Sequence, residues 1–378
     1  MAWPECCAHE RGVEHRGILS SPGNQIAHYH GSCPQIARAA ATATLGAGSI
    51  VCMATSVTSA LVPVESSLQL IRRSDRALEL IDDRRLRRSI DSGEWTRVVP
   101  GVFAPSKDWA ALKPIERHRT LVDETVRRLQ HPAVVSHFAA GSEWDIDVLG
   151  SWPNRVDVTT PRRSGGRSGG TVQRHALGLE GVERVPWGDH EITTPAQTAL
   201  DLARVLPFVR AVSAVDQAIW SERPGGPLTT LADIRKLLES SAPSRGDARA
   251  RRVLDFANPL AANVRESQSR VVVVQLGFPM PLIQVRRTLR SGRLAIADLF
   301  FEREDHWCEI DGRGKYLSPE FGADRSSAEI VIDEKNRENE IRREVRGFSR
   351  WEALEADNPR RIWDILTGDG MPCSRPRP

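Results

Sequence analysis

Cysteine is scarce in most of this sequence. Four of the six cysteines fall within the first 52 residues, and only Cys308 and Cys373 lie beyond them. No pair has the Cys-x-x-Cys spacing, and so few cysteines exclude a disulfide framework. The sequence therefore indicates a reducing compartment, and we expect the protein in the cytoplasm.

An excess of charge of one sign is also lacking. The net charge of +3 gives no general nucleic-acid signal, so any basic surface must be local. Arginine outnumbers lysine, which favours bidentate phosphate contacts but also fits a genome rich in G and C. A length of 378 residues, with 40% hydrophobic and 27% charged, predicts a globular chain of two or three domains.

Long runs of large apolar residues are absent. The uncharged stretch 39–64 consists mostly of small residues, so we expect no membrane span. The residues before it lack periodicity and do not resemble a signal peptide. We expect residues 1–65 to be disordered, with translation starting near Met53 and residues 1–52 being upstream DNA included in the reading frame.

Residues 66–110 carry the pattern of a winged helix. Apolar residues recur at helical spacing from Ser74 over two short helices, and "WTRVVPGVFAP" predicts two strands around Pro100-Gly101. In a winged helix the second helix enters the major groove of DNA. That helix carries four arginines, which fit a solvated helix face as well as a DNA contact: Arg84, Arg85, Arg87 and Arg88.

Residues 111–220 alternate helical and strand patterns, which predicts a middle α/β domain. The segment "TTPAQTALDLARVLP" predicts a helix capped by Thr194, with Pro195 at its first position. His137 and His175 have no metal-ligand spacing, so we interpret them as structural.

Prolines and glycines are frequent in residues 221–260, which we interpret as a linker with one helix. Residues 261–370 then predict a last α/β domain in the order helix, strand, strand, strand, helix. Its first helix carries Glu266, and its hairpin turns at Ser291-Gly292. The segment after the last helix is short, so we expect the sheet to lack an edge strand.

Three carboxylates lie in the apolar strands of this domain: Asp298, Glu309 and Asp311. Glu309 and Asp311 share a face, because side chains repeat every two residues along a strand. Buried acids are unfavourable unless they are paired or bind a metal. Oxygen ligands suit Mg²⁺ or Mn²⁺. The alternative is a buried ion-pair cluster with Arg313, Lys315 or Lys335.

The order Glu266, Asp298, Glu309-x-Asp311-Gly resembles the PD-(D/E)XK nuclease superfamily, and residues 260–366 resemble its very-short-patch-repair-like relatives. This resemblance implies phosphodiester cleavage, with Asp298 and Glu309 holding the metal and Glu266 completing or orienting its shell. Asp311 is our candidate for a third metal ligand. The superfamily usually places lysine where Asp311 stands, so Lys315 is the substitute that we expect to act as the catalytic stabiliser.

The helix over 334–346 also carries arginines. Arg337, Arg342 and Arg343 fit contacts to DNA phosphates, and they equally fit a solvated face with pairs such as Glu338–Arg342.

Residues 72–220 resemble the AbiEi antitoxin family of type IV toxin–antitoxin systems, through "LRRSIDSGEWTRVVPGVFAP" and "TTPAQTALDLAR". Three functions follow as expectations. The first is a metal-dependent DNA endonuclease guided by a winged helix. The second is an inactive, antitoxin-type transcriptional regulator. The third is a module that binds and neutralises a toxin protein.

Overall fold

The computed structural model of this protein describes residues 68–73, 83–162, 168–311 and 327–378. The expectations for residues 1–65 lie outside this part of the chain, and so does Lys315. All described residues belong to the unit Thr58–Pro378. Within them the fold is mixed α/β with three β-sheets. No helix among them is long and apolar enough to cross a membrane.

The first sheet has three short antiparallel strands in the order β1-β3-β2. The hairpin predicted around Pro100-Gly101 is confirmed, and Gly101 adopts a φ of +75° at its turn, where glycine is favoured. One helix of the predicted pair is described here, directly before the hairpin. The elements are β1 (Ile71–Arg72), α1 (Asp83–Asp91), β2 (Trp95–Val99) and β3 (Val102–Pro105).

The second sheet has five strands in the order β6-β5-β4-β8-β7, with both parallel and antiparallel pairs. Helices α3 and α4 cover it through apolar residues such as Val122 and Ala139, which pack against Val135, Val158 and Ile192. The elements are α2 (Ser106–Ala111), α3 (Pro114–Val126), β4 (Val134–Val135), α4 (His137–Glu143), β5 (Val156–Thr159), β6 (Val172–His175), β7 (Arg184–Trp187) and β8 (His190–Thr193).

Four helices follow and share one core rich in small residues: α5 (Pro195–Val205), α6 (Phe208–Ile219), α7 (Leu231–Ser240) and α8 (Asp247–Phe256). The cap of α5 is confirmed, because the Thr194 side chain accepts a hydrogen bond from the Gln197 N–H. The prediction of a linker with one helix was wrong. Residues 221–260 form two helices, and Ile234 and Val253 are fully buried in this core. The prolines and glycines break the chain around these helices, which bury their apolar faces.

The last part has a four-stranded sheet in the order β12-β11-β10-β9, and the predicted order of helix, three strands and helix is confirmed. The elements are α9 (Val264–Leu276), β9 (Leu282–Thr288), β10 (Leu294–Phe301), β11 (His306–Asp311), α10 (Ser327–Glu344), β12 (Gly347–Glu352), a 3-10 helix (Ala353–Asp357) and α11 (Pro359–Gly368). Gly277 ends α9 with a φ of +96°.

The expected absence of an edge strand was wrong. Strand β12 pairs in parallel with all six residues of β11. Six residues suffice for a full strand here because α10 returns the chain to the start of β11, where Phe348 and Trp351 become buried on opposite faces.

Helix α9 joins this sheet to the helices before it. Val272 and Val273 pack on one face of the sheet with α11, whereas Val271 packs into the core of α5 to α8. Arg270 forms a 2.8 Å ion pair with Asp216 of α6, and their side chains are 3% and 0% exposed. The helix that carries Glu266 is therefore fixed from two sides. Helix α10 covers the other face of the sheet through Ile341.

Candidate functional site

The acids of β10 and β11 lie at neighbouring positions of the sheet. The two strands are antiparallel, and Leu299 of β10 pairs with Cys308 of β11. Asp298 precedes Leu299 and Glu309 follows Cys308, so the two acids occupy neighbouring positions beyond this pair. Glu309 is buried, with 5% exposure, and Asp298 is half-buried. The topology therefore places the backbones of these two predicted ligands side by side on adjacent strands.

Strand β10 is kinked at Asp298. Ala297 packs on the α10 side of the sheet and Leu299 on the α9 side, although residues two apart normally share a face. On the neighbouring strand β9, Val285 pairs with Ala297 and Ile283 pairs with Leu299. Gln284 lies between these two pairs, opposite Asp298. Gln284 has a φ of +53°, which is uncommon for a residue other than glycine.

Glu266 and Asp298 meet at the Gln284 side chain. The amide nitrogen of Gln284 lies 3.0 Å from Glu266 Oε2 and 3.5 Å from Asp298 Oδ1. Backbone and side-chain donors hold both carboxylates as well. Glu266 accepts from the Ala262 N–H at 2.9 Å and from Asn263 Nδ2 at 2.6 Å, and Asp298 Oδ2 accepts from the Ile310 N–H at 2.7 Å. The helix and the strand therefore present one carboxylate each to a common point.

Glu309 turns toward α10 instead. Its Oε1 lies 2.9 Å from Arg337 Nη1, its Oε2 accepts from Arg337 Nη2 at 3.0 Å, and the Trp307 indole N–H donates to Oε1 at 3.3 Å. Arg337 also pairs with Glu334 at 2.7 Å, and this contact is the main reason why the pKa of Arg337 is raised. Glu309 is therefore a paired, buried carboxylate.

Asp311 is held by Arg350 of strand β12. Arg350 donates to both carboxylate oxygens of Asp311, at 2.5 and 2.8 Å, which is a bidentate contact that raises the pKa of Arg350. The same guanidinium reaches Glu309 at 3.8 Å and Glu338 at 2.9 Å. The prediction that Glu309 and Asp311 share a face is confirmed, because one arginine contacts both.

An ion-pair cluster of the predicted kind thus exists, with different partners. The cations that reach Glu309 and Asp311 within the described chain are Arg337 and Arg350, not Lys335, and Arg313 lies outside it. We name this group the arginine cluster: Glu309, Asp311, Glu334, Arg337, Glu338 and Arg350. Arg337 pairs with two carboxylates of this cluster. That it also contacts DNA phosphates stays a prediction. Arg342 pairs with Glu338 at 2.8 Å, and both Arg342 and Arg343 are exposed.

The donor set at Gln284 fits a hard cation. No three His, Cys, Asp or Glu side chains lie together as a metal site in the residues that the structure describes. Mg²⁺, however, commonly binds through one or two carboxylates and completes its shell with water and substrate phosphate. The Glu266–Asp298 pair supplies two such carboxylates, so the residues present suit this ion.

Helix α1 presents its arginines to solvent. Leu86 is buried beneath the helix, and the four arginines around it are exposed: Arg84, Arg85, Arg87 and Arg88. The hairpin β2–β3 follows directly, as in a winged helix. The geometry is therefore that of an accessible basic helix beside a β-hairpin.

Sequence reasoning missed Gln284 and Arg350. Gln284 had only a partial signal, because it and Asp298 lie at nearly equal distances on either side of the predicted turn, and the observed hairpin register sets them opposite each other. Arg350 had no local signal, since its position depends on the parallel pairing of β12.

Sequence reasoning also did not foresee that the two histidines interpreted as structural lie together. The rings of His137 and His175 stack with centroids 3.9 Å apart. His175 Nε2 lies 2.7 Å from Asp157 Oδ1, and His137 Nδ1 lies 3.0 Å from the Ser136 hydroxyl. His137 is 2% exposed, so an external ligand has little access to it.

Comparison with known proteins gives little further identification. No family model matches the chain. Two proteins from two strains of Mycobacterium tuberculosis, uncharacterized protein MT2308 and uncharacterized protein Rv2248, are each 34% identical to it over 92 residues. The similarity covers 24% of this chain and 32% of theirs, so the chain spans about a third of the length of these relatives. Neither name states an activity or a partner.

Proposed function

We propose that this chain is a DNA-binding protein whose residues 261–370 form a metal-dependent endonuclease-like domain that cleaves phosphodiester bonds. One observation carries the proposal. Helix α9 and the kinked strand β10 bring the Glu266 and Asp298 carboxylates to one amide group. Two carboxylates at one point, with a third acid, Glu309, on the adjacent strand, suit a divalent cation.

In this proposal Asp298 and Glu266 hold Mg²⁺ or Mn²⁺, with Glu309 and Asp311 on the adjacent strand as further ligand candidates. When bound, the ion activates water and neutralises charge on the phosphate. The residues of the chain supply orientation. The Ile310 N–H aims Asp298, and the Ala262 N–H aims Glu266. Lys315 stays the proposed stabiliser of phosphate charge.

DNA binding is assigned to helix α1 and the β2–β3 hairpin. The exposed arginines of α1 give the local positive charge that the net charge of the chain lacks. Arginine contacts to phosphate give affinity that falls as salt rises. Arg343 and Arg342, exposed on α10, are proposed as additional phosphate contacts.

A second candidate is an inactive, antitoxin-type regulator with a nuclease-like fold. The observation that favours it is the arginine cluster. Arg337 and Arg350 neutralise Glu309 and Asp311, two of the three predicted metal ligands. Moving Glu309 to a cation would break its contact with Arg337 and leave that guanidinium paired with Glu334, which is unfavourable. The two candidates share DNA binding and differ in cleavage.

A cleavage assay separates the candidates. The purified protein is incubated with plasmid and with short duplexes, with Mg²⁺ or Mn²⁺ or with chelator. The endonuclease proposal expects metal-dependent cleavage that Asp298→Ala abolishes and that Glu302→Ala leaves intact, because Glu302 is an exposed acid in the turn after β10. Binding to duplex DNA should be the same for all three proteins.

Absence of cleavage, together with absence of divalent-ion binding at millimolar concentration by titration calorimetry, would overturn the endonuclease proposal. Retained, salt-dependent DNA binding would then support the regulator.

A further inference from the structure

The Gln284 side chain occupies the point where a cation between Glu266 and Asp298 would be expected. Its amide nitrogen carries two hydrogens and reaches an oxygen of each carboxylate, at 3.0 and 3.5 Å. The Ala262 N–H and the Asn263 side-chain amide donate to Glu266, and the Ile310 N–H donates to Asp298, so each of these donors serves one acid. The amide therefore links the helix carboxylate to the strand carboxylate.

Within β9, the strained backbone position is Gln284. Its φ of +53° lies in the left-handed region, which costs free energy for a residue other than glycine. The residues on either side, Ile283 and Val285, keep normal pairing with β10. The conformation aims the side chain at the two acids and leaves the rest of the strand in register.

The Gln284 amide and a divalent cation differ in how strongly they bind the Glu266 and Asp298 carboxylates, because the amide is neutral and the cation is charged. Two carboxylates around one point repel each other, and the amide contributes against this repulsion through the partial positive charge of its NH₂ group. A divalent cation interacts far more strongly with both oxygens. The same cation repels the amide hydrogens, so the NH₂ group has to leave this point when the ion enters.

We propose that Gln284 is a positioning residue that substitutes for the metal. It keeps the Glu266 and Asp298 carboxylates together in the metal-free protein, and the divalent cation displaces it. This inference rests on the proposed metal-dependent function. Gln284 thereby sets the affinity of the site, because binding of the ion must break two amide hydrogen bonds.

Glutamine is the side chain that suits this role. A lysine would keep a full positive charge between the acids and would exclude the ion. A glutamate would add a third negative charge to two carboxylates that already repel each other. Glutamine is long enough to reach both acids, donates two hydrogen bonds and carries no net charge.

The test uses Gln284→Leu in the full chain, with Mn²⁺ alone as the probe. Leucine keeps much of the side-chain size and removes both donors. Without metal, the melting temperature should fall by about 2–4 °C, because the two acids lose a shared donor. With Mn²⁺, titration calorimetry should show binding about 3- to 10-fold tighter than in the wild type, and the metal-induced rise in melting temperature should be larger.

Two further variants separate the amide from its surroundings. Gln284→Gly removes the amide and relieves the backbone strain, so its Mn²⁺ affinity should match that of Gln284→Leu although its metal-free melting temperature is higher. Thr288→Val, an exposed position of the same strand, should change neither quantity. The glycine variant also decides the question if the leucine variant does not fold.

The outcomes distinguish this inference from the proposed function. Mn²⁺ binding by the wild type that is unchanged or weakened in both Gln284 variants overturns the inference, while the metal-dependent function stands. Absence of Mn²⁺ binding by the wild type overturns the proposed function and the inference with it.

Discussion

At the scale of single residues, Glu143 shows how one buried carboxyl couples stability to pH. Its Oε1 is buried and has no hydrogen-bond partner among the described residues. Burial, and then the nearby charge of Asp123, raise the pKa of Glu143 from 4.5 to about 8, and Arg119 acts in the opposite direction. Folding therefore takes up a proton, so this group's contribution to stability is present below pH 4.5 and is lost as pH rises toward 8.

Glu143→Gln tests this coupling, because glutamine imitates the protonated acid. The variant should gain stability relative to the wild type on going from pH 5 to pH 8, by about 1–2 kcal/mol. Urea unfolding at both pH values measures the difference. Glu180→Gln, at an exposed position, is the control and should show no pH-dependent gain. An equal effect of Glu143→Gln at both pH values would show that this carboxyl is ionised in the folded state.

At the scale of elements, the contact between α6 and α9 depends on one buried ion pair. Asp216 accepts hydrogen bonds from Arg270 at 2.8 Å, from the Ser267 hydroxyl at 2.7 Å and from the Asn258 N–H at 2.7 Å. Arg270 also lies over the Phe256 ring at 4.4 Å. A buried charge that loses its partner is strongly unfavourable, whereas replacing the whole pair by apolar residues often costs little.

Asp216→Asn should therefore lower the free energy of unfolding by about 3–5 kcal/mol, because Arg270 stays charged and buried. The double variant Asp216→Leu with Arg270→Met should recover most of this loss. Chemical denaturation of the three proteins measures both effects. A double variant as unstable as Asp216→Asn would mean that the polar partners of Asp216, and not the charge of Arg270, dominate.

Helix α1 is the element on which DNA binding is predicted to depend. Replacing its four exposed arginines by alanine should weaken duplex binding and reduce the slope of log affinity against log salt by about 0.9 for each phosphate that the helix no longer neutralises. Fluorescence anisotropy at several salt concentrations measures both quantities. Replacing Arg245 and Arg251, which are exposed near and on α8, should leave the slope unchanged. If the α1 variant has the same salt slope as the variant of Arg245 and Arg251, the arginines of α1 form a solvated helix face and do not contact DNA.

At the scale of the whole molecule, the last α/β part packs against helices α5 to α8. Arg270 and Val271 of α9 are buried against residues of α5 to α8. A fragment of residues 261–378 should therefore melt well below a fragment of 111–378, and Arg270→Met should raise the melting temperature of the shorter fragment, because its Arg270 lacks Asp216. Scanning calorimetry compares the fragments. Equal melting temperatures would show that the last part folds independently.

The sequence by itself determined the helix caps, the two hairpins and the order of the acids. Thr194, Pro195 and Gly277 mark helix ends through local hydrogen bonding and backbone conformation, which act within a few residues. The two-residue period placed Glu309 and Asp311 on one face, and Arg350 confirms it. Local patterns carry this information because the capping and facing of side chains depend on near neighbours along the chain.

Tertiary structure alone decided which side chains meet. Arg350 reaches Asp311 because β12 runs parallel to β11, and Gln284 reaches Glu266 because α9 packs across the kinked hairpin. The helices of residues 221–260 became core because α5 and α6 cover their apolar faces. A partner far away along the chain is fixed by strand register, crossover direction and packing. A local pattern contains none of these, so sequence reasoning found the acids but missed that Arg337, Arg350 and Gln284 hold them.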